Sequence, residues 1–318
     1  IKNINKIEAY DISHISGESA VASSVVFSRT GPEKKNYRLF NIPNELSGND
    51  VGSMEHLLKR RIKHFDDPNI KPILSICERR RHQVIKVGYK SGADIQICDQ
   101  RFYPDGQIIK FSYWGTSRTI KLSLIGDFQA MNILMAATLV IALGAEPNKV
   151  FDSLPNLNSV PGRMYLVDSP DSDVNVYVDY AHTPDALAKS LKALRLHTIG
   201  NLIVVFGAGG DRDSGKRSLM GQVAEELADK AIVTDDNPRT ESAANIRRDI
   251  IKFCPSAVEI PDRAEAILVS IKNLKKGDVL LIAGKGHESG QIIGEDIYPF
   301  SDVEMASLSL SLRSRESI

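Results

Sequence analysis

After residue 161 this chain alternates regularly between two kinds of segment, and no other feature restricts its fold as much. The apolar runs "VNVYVDY", "NLIVVFGAG", "KAIVTDD", "AVEI" and "DVLLIAGKG" are separated by "PDALAKSLKALRLH", "KRSLMGQVAEELADK", "SAANIRRDIIKF" and "RAEAILVSIKNLKK", which carry helical spacing. A near-continuous apolar strand is buried on both faces, and the intervening helices are what can cover it. The alternation therefore predicts an α/β fold with a mostly parallel sheet and helices on both faces. "QIIGEDIYPF" reads as an edge hairpin before a last helix.

Two earlier segments read differently. In residues 1–72, "KIEAYDI", "SAVASSVVF" and "NYRLFNI" predict a small antiparallel β-meander. Met54, Leu57, Leu58 and Ile62 then fall at helical spacing, and "DDPN" breaks that helix. In residues 73–160, "ADIQICDQRFYPDGQIIKFSYWG" alternates with period two about a "PDG" turn, as a hairpin does. "LSLIGDFQAMNILMAATLVIALGAEPNKVFDSL" follows as a strand, a Gly turn and one long apolar helix, ended by Gly144 and Pro147.

The 40 basic and 40 acidic residues balance, which gives whole-chain nucleic-acid binding no support. Cys77, Cys98 and Cys254 form no C-x-x-C pair, a pattern of reduced intracellular thiols and not of a structural metal site. The opening "IKNINKIEAYDISH" has no apolar segment of signal-peptide type. The longest apolar segment, "ILMAATLVIALGA", is shorter than the roughly 20 residues of a bilayer span. A soluble, cytoplasmic protein is the expectation.

Ligands of a parallel α/β sheet bind beyond the carboxyl ends of its strands. Four polar clusters have that address. In "DYAHTPDAL", Thr183 and Pro184 suit an N-cap and a first helical position, and the free N–H groups of such an end favour an anion. Asp179 and His182 then either face a nucleotide phosphate or its Mg²⁺, or serve the turn and pack on the sheet. In "DDNPR", Arg239 suits a ligand carboxylate, while Asp236 and Asn237 suit an ammonium; both signs in one loop fit a zwitterion. An Asn-Pro turn with a surface Arg is the alternative. In "GKGHE", Gly284 and Gly286 allow close backbone approach and Glu288 suits an ammonium; no H-E-x-x-H zinc pattern is present.

The fourth cluster, "GAGGDRDSGKRSLMG", nearly spells a phosphate loop at Gly210, Gly215 and Lys216. Arg217 stands where a Ser or Thr should hold Mg²⁺, and Asp211 and Asp213 would repel a phosphate inside the cradle. Arg212 between these aspartates fits a ligand carboxylate instead.

In order, "GDFQAMN", "PGRM", "VYVDYAHTPDAL", "FGAGGDRDSGKRSLMG", "TDDNPRTE" and "LLIAGKGHE" resemble the motifs of the C-terminal part of a Mur ligase over residues 73–318. Gln129 stands for the family's commoner Asn, and Ser218 for the Pro usual after "GKR". The resemblance implies a Rossmann-like C-terminal domain over 161–318, preceded by part of the central domain over 73–160. It implies an acid–amino-acid ligase of peptidoglycan synthesis that uses ATP and Mg²⁺. Asn132, Arg163, Asp179 and His182 would lie on the ATP side. Arg212, Asp236, Asn237, Arg239, Gly284 and Glu288 would hold the amino acid. "DNPR" resembles the version that adds meso-diaminopimelate to the UDP-N-acetylmuramoyl dipeptide.

No G-x-x-x-x-G-K-[ST] or "GTNGKT"-type loop occurs in these residues, so little or no ligase activity is expected from them alone. Residues 1–72, with "IEAYDISHISGESAVASSVVF", resemble the start of the RNase H-like endonuclease domain of an excision-repair nuclease. That resemblance would make Asp11 a metal ligand; a turn residue at a strand end is the other reading. The change near residues 70–75 reads as a fusion of two truncated reading frames, which leaves a non-catalytic remnant as a further alternative.

Overall fold

The computed structural model describes residues 85–169 and 173–316, together with 6–15, 19–28, 31–32, 35 and 38–41, where only the backbone is described apart from Lys35. The chain divides into two compact units, residues 1–95 with 134–152, and residues 96–133 with 153–318.

In the first unit, β1 (Lys6–Ile15) and β2 (Ser19–Ser28) pair antiparallel in a continuous register that sets Asp11 opposite Ser23. β3 (Gly31–Pro32) and β4 (Arg38–Asn41) both pair antiparallel with β2. This is the expected meander with a short extra strand. The helix expected around Met54–Ile62 lies outside the described residues. The unit also holds β5 (Val87–Gly88), most of α1 (Phe128–Ala142) and nearly all of α2 (Pro147–Ser153).

The second unit contains β6 (Ile95–Tyr103), β7 (Gly106–Tyr113) and β8 (Thr116–Leu122), neighbours in one sheet, with the "PDG" turn between β6 and β7. Its larger sheet is built from β9 (Tyr165–Leu166), β10 (Asn175–Asp179), β11 (Leu202–Phe206), β12 (Lys230–Val233), β13 (Val258–Glu259) and β14 (Val279–Ala283). The strand order is β13-β12-β11-β14-β10-β9, and all neighbours are parallel except β9 with β10.

β11 and β14 are buried at every position, as their unbroken apolar runs require. Alternate side chains feed two cores. On one face Tyr177, Val204 and Leu281 pack with Leu187 and Leu191 of α3 (Pro184–Arg195), Met220 of α4 (Gly215–Leu227) and Ile250 of α5 (Ala243–Ile251). On the other, Val176, Val205 and Leu280 pack with Ile267 and Ile271 of α6 (Arg263–Lys272) and Leu310 of α7 (Asp302–Glu316). Each fully buried Leu or Ile contributes about 1.5–3 kcal/mol. The helices on both faces follow from this two-sided burial.

One expectation changes. "QIIGEDIYPF" forms β15 (Gly290–Ile293) and β16 (Asp296–Pro299), a hairpin that pairs with itself and not with the edge of the parallel sheet. Both ends of the sheet order are taken by other strands, and the hairpin runs along the loop after β12 instead.

Candidate functional site

The carboxyl ends of β10, β11, β12 and β14 lie side by side, so the four polar loops share one rim. After β12, Asp236 and Asn237 are buried and Arg239 is half-buried with φ +52°. A non-glycine residue holds the left-handed region only when its surroundings fix it. Here the β15 hairpin does so: Arg239 N–H donates to Ile292 O at 3.1 Å, and Gly294 N–H donates to Arg239 O at 2.7 Å. The Arg239 guanidinium donates through Nη1 to Gly210 O at 2.8 Å and to Asn237 O at 3.4 Å, and among the described residues its Nε and Nη2 make no hydrogen bond.

The loop after β11 is clasped to this one. Asp211, also left-handed at φ +52°, accepts from Thr240 Oγ at 2.9 Å and from Thr240 N–H at 3.1 Å. Those hydrogen bonds, with the charges of Arg239 and Arg212, hold its carboxyl below the usual range. Gly210 is needed because a Cβ there would overlap the Pro238 carbonyl. Arg217 is buried and grips both oxygens of Glu241 at 2.9 and 2.8 Å. A loop whose glycine meets the next loop and whose Arg is committed to a Glu is no phosphate cradle, as its chemistry predicted. Arg212 is exposed and, among the described residues, donates only to Asp211 O, at 3.4 Å. A Cβ built on Gly209 would lie 2.9 Å from Arg239 Nη1 and 3.9 Å from Arg212 Cγ, so the two arginines flank one glycine.

After β14, Gly284 has φ +119°, and a Cβ there would lie 2.6 Å from Asp236 Oδ2. Asp236 is 7% exposed, and among the described residues its carboxylate accepts no hydrogen bond. Glu288 Oε2 accepts from Asn237 Nδ2 and from Lys285 Nζ, each at 3.0 Å. Burial alone would push the Glu288 carboxyl up. The bonds from Asn237 and Lys285 and the charges of Lys285 and Arg239 outweigh it and hold the group below its ordinary value. Asn237 Oδ1 accepts from Lys285 Nζ at 3.0 Å and from Ile292 N–H at 2.9 Å. Both its lone pairs are taken, so Asn237 aligns Glu288 and has no acceptor left for an ammonium. The acidic wall is Asp236 with Glu288 Oε1.

Arg263 and Asp302 underlie this wall. They form a fully buried ion pair at 2.7 and 2.8 Å, and Arg263 also donates to Ala283 O, just before Gly284.

The residues expected on the nucleotide side have shorter reach. Asp179 is buried and spends its carboxylate on Met164 N–H, Tyr180 N–H and Ser190 Oγ. It is a strand-end anchor in this structure. Thr183 caps α3 as predicted, with Pro184 at the first helical position. His182 is exposed; its Nδ1 lies 2.9 Å from Tyr180 O and its ring stands edge-on to Tyr180. Arg163 stacks over the same Tyr180 ring, its Cζ 4.7 Å from the ring centre, and the His287 ring is 5.5 Å from Tyr180. Asn132 is exposed on α1 and donates to Gln129 at 3.4 Å.

Among the described residues no group of three or more His, Cys, Asp or Glu side chains is placed to hold a metal. With Asp179 committed to its neighbours, the residues expected on the nucleotide side do not fit a Mg²⁺ site. The side chain of Asp11 lies outside the described residues. No helix among the described residues is long and apolar enough to cross a membrane.

Sequence reasoning missed Lys285, Tyr180, the Asp211–Thr240 clasp and the hairpin's hold on Arg239. Only Lys285 had a local signal, as a lone Lys between two glycines at the end of a fully apolar strand.

A parallel sheet whose loops gather acids, arginines and glycines at one rim defines a ligand-binding α/β domain, and the comparisons give it a family. Residues 162–286 match the model of the Mur ligase glutamate ligase domain, and residues 1–88 match that of the UvrC RNase H endonuclease domain. The chain is 44% identical over 273 residues to a UDP-N-acetylmuramoyl-L-alanyl-D-glutamate–2,6-diaminopimelate ligase of Zymomonas mobilis, covering 80% of this chain and 56% of that one. A solved structure of a ligase of the same name superposes with a TM-score of 0.62 at 34% identity, covering 76% of this chain and 51% of that one. MurF ligase from Thermotoga maritima, solved in complex with ADP, shares the fold at a TM-score of 0.53 and 21% identity, over 80% of this chain and 53% of that one. Through its C-terminal region the chain belongs to the Mur ligase family. It spans about half the length of the relatives it matches.

Proposed function

We propose that residues 73–318 are the amino-acid-adding part of an ATP-dependent ligase of peptidoglycan precursor synthesis. Residues 161–318 form the amino-acid domain, 73–160 a central-domain segment and 1–72 a separate RNase H-like segment. The amino acid is meso-diaminopimelate and the acceptor is UDP-N-acetylmuramoyl-L-alanyl-D-glutamate, both small molecules of the cytoplasm. The names of the relatives support this reading. One observation on this chain carries it: the loop after β12 holds both Arg239, whose Nη1 lies against Gly209, and the buried Asp236, whose carboxylate lies against Gly284 and accepts no hydrogen bond among the described residues. A guanidinium beside a carboxylate pair fits the distal end of meso-diaminopimelate, which has one carboxylate and one ammonium.

Arg212 and Arg239 would take the ligand carboxylate, and Asp236 and Glu288 its ammonium. Gly284 would let the ligand approach the backbone, and Asn237 would set Glu288. On the nucleotide side, Arg163, His182 and Asn132 would meet ATP, a reading supported by the ADP complex of the fold relative; Asp179 would hold the strand end beneath them. ATP, when bound, would supply the phosphoryl group that activates the acceptor carboxylate.

Titration calorimetry of the 318-residue chain tests the pocket. Heat with meso-diaminopimelate and weaker binding of L-lysine are expected; no heat, or equal affinities, overturns the role of Arg239. With ATP, Mg²⁺, the UDP-dipeptide and meso-diaminopimelate, these residues alone should give no turnover, because positioning of the phosphates is most of phosphoryl-transfer catalysis.

The match of residues 1–88 favours a second reading, a remnant of a metal-dependent nuclease in which Asp11 is a ligand. Such sites need several converging carboxylates. No nicking of damaged duplex with Mg²⁺ or Mn²⁺ is expected; nicking lost in Asp11→Ala would favour the nuclease.

A further inference from the structure

Lys285 is the most enclosed cation of the rim. It is 0% exposed, and its ammonium lies 3.0 Å from both Asn237 Oδ1 and Glu288 Oε2. A buried ammonium is costly unless paired and hydrogen-bonded. This one is paired with the two residues that build the acidic wall, so its placement fixes the wall in three ways.

With Ile292 N–H it fills the acceptor end of Asn237, so the amide can only present Nδ2 to Glu288. With Asn237 it fills Glu288 Oε2, and among the described residues no donor reaches Oε1. It also sets a positive charge directly beside Glu288, while Asp236, in the field of Lys216 and Arg263, accepts no hydrogen bond among the described residues.

We propose that Lys285 is a positioning residue for ammonium recognition: by holding Asn237 Oδ1 and Glu288 Oε2 it turns Glu288 so that Oε1, with Asp236, receives the distal ammonium of the amino acid. This rests on the amino-acid-binding reading above.

The charged groups that face Glu288 agree with that role. Lys285 comes from its own loop, Arg239 and Asp236 from the loop after β12, and Arg263 from α6. Of the cations, Lys285 and Arg239 hold the Glu288 carboxyl down, and only Lys285 bonds to it. Without Lys285, burial would dominate, and Glu288 would take up a proton at a higher pH.

The experiment is calorimetric titration of the full chain and of Lys285→Met with meso-diaminopimelate, from about pH 8 to about pH 5. The wild type should hold its affinity towards acid. The variant should lose affinity progressively towards acid, approaching about tenfold per pH unit once the pH is below the raised Glu288 titration. A merely structural Lys285 would lower affinity by the same factor at every pH, and that result overturns the proposal.

If Lys285→Met does not fold, the wild type still decides. The Glu288 carboxyl carbon, followed by NMR without ligand, should titrate below the ordinary glutamate value of about 4.3. Titration at or above that value overturns the proposal. Absence of heat from the wild-type chain, with Glu288 titrating low, takes down the amino-acid reading and leaves the pairing of Lys285 with Glu288 standing.

Discussion

The loops after β11, β12 and β14 are fastened to one another by charged and polar side chains, whereas Arg163, His182 and Asn132, the residues expected beside a nucleotide, are exposed. Asp211 is tied to Thr240, Arg217 to Glu241, Asn237 to Glu288 and to the β15 hairpin. Arg163 and His182 rest on Tyr180, and Asn132 on Gln129 one helical turn away. The proposed amino-acid pocket is thus held in place by its own side chains, while the residues proposed to meet a nucleotide present exposed groups. Preorganisation of this kind lowers the ordering cost of binding on one side only.

The sharpest way to break the contrast is to remove its foundation. Arg263→Ala leaves Asp302 charged and buried without a partner and should cost about 3–5 kcal/mol in denaturant unfolding. An unchanged midpoint would mean that the pair does not support the rim. Next, Arg239→Lys keeps the charge but loses the planar fork. It should weaken meso-diaminopimelate about tenfold to a hundredfold by calorimetry while L-lysine binding changes little.

A separate weak point, beyond the C-terminus of α3 and away from the rim, is His197. It is 2% exposed, accepts from Gly126 N–H through Nε2 at 3.1 Å, and donates through Nδ1 to Tyr103 O at 2.7 Å. Burial holds its pKa below the ordinary 6.5. The folded state therefore resists a proton that the unfolded chain accepts. Stability is complete above 6.5 and declines as pH falls towards the lowered value, by up to about 1.4 kcal/mol per pH unit. Unfolding midpoints measured across that range should show the slope, and His197→Gln should flatten it.

Smaller effects should separate the two sides. Thr240→Val opens the clasp on Asp211 and should weaken meso-diaminopimelate roughly two- to fivefold, with little change in unfolding. Arg163→Ala should leave that affinity unaltered; a loss there would show that the two sides are coupled.

Much of the fold was legible because its signals are local. The runs "LIVVF" and "VLLIA" announce strands buried on both faces, and Thr183-Pro184 announces a helix start, and each forms where expected. The sequence also placed Arg212, Arg239 and Glu288 in loops at the carboxyl ends of the strands, and in the structure those loops follow neighbouring strands of one sheet. What escaped was partnership over long separations. Nothing in "DDNPR" says that Asn237 gives both lone pairs to Lys285 and Ile292, or that Arg239 needs the hairpin to hold its backbone. Asp179 was open between two roles because a carboxylate at a strand end serves either. Only the structure shows Ser190 and Met164 taking it up.

The hairpin carries a consequence for where this domain ends. The Mur ligase model's match stops at residue 286, four residues short of β15. Yet Ile292 supplies the main-chain groups that keep Arg239 and Asn237 in place. A fragment trimmed to the matched limits would retain the strands and their apolar filling but deliver a slackened grip. The packed unit extends at least to Pro299, past the limit of the domain model, and the proposed grip on a ligand depends partly on that added hairpin.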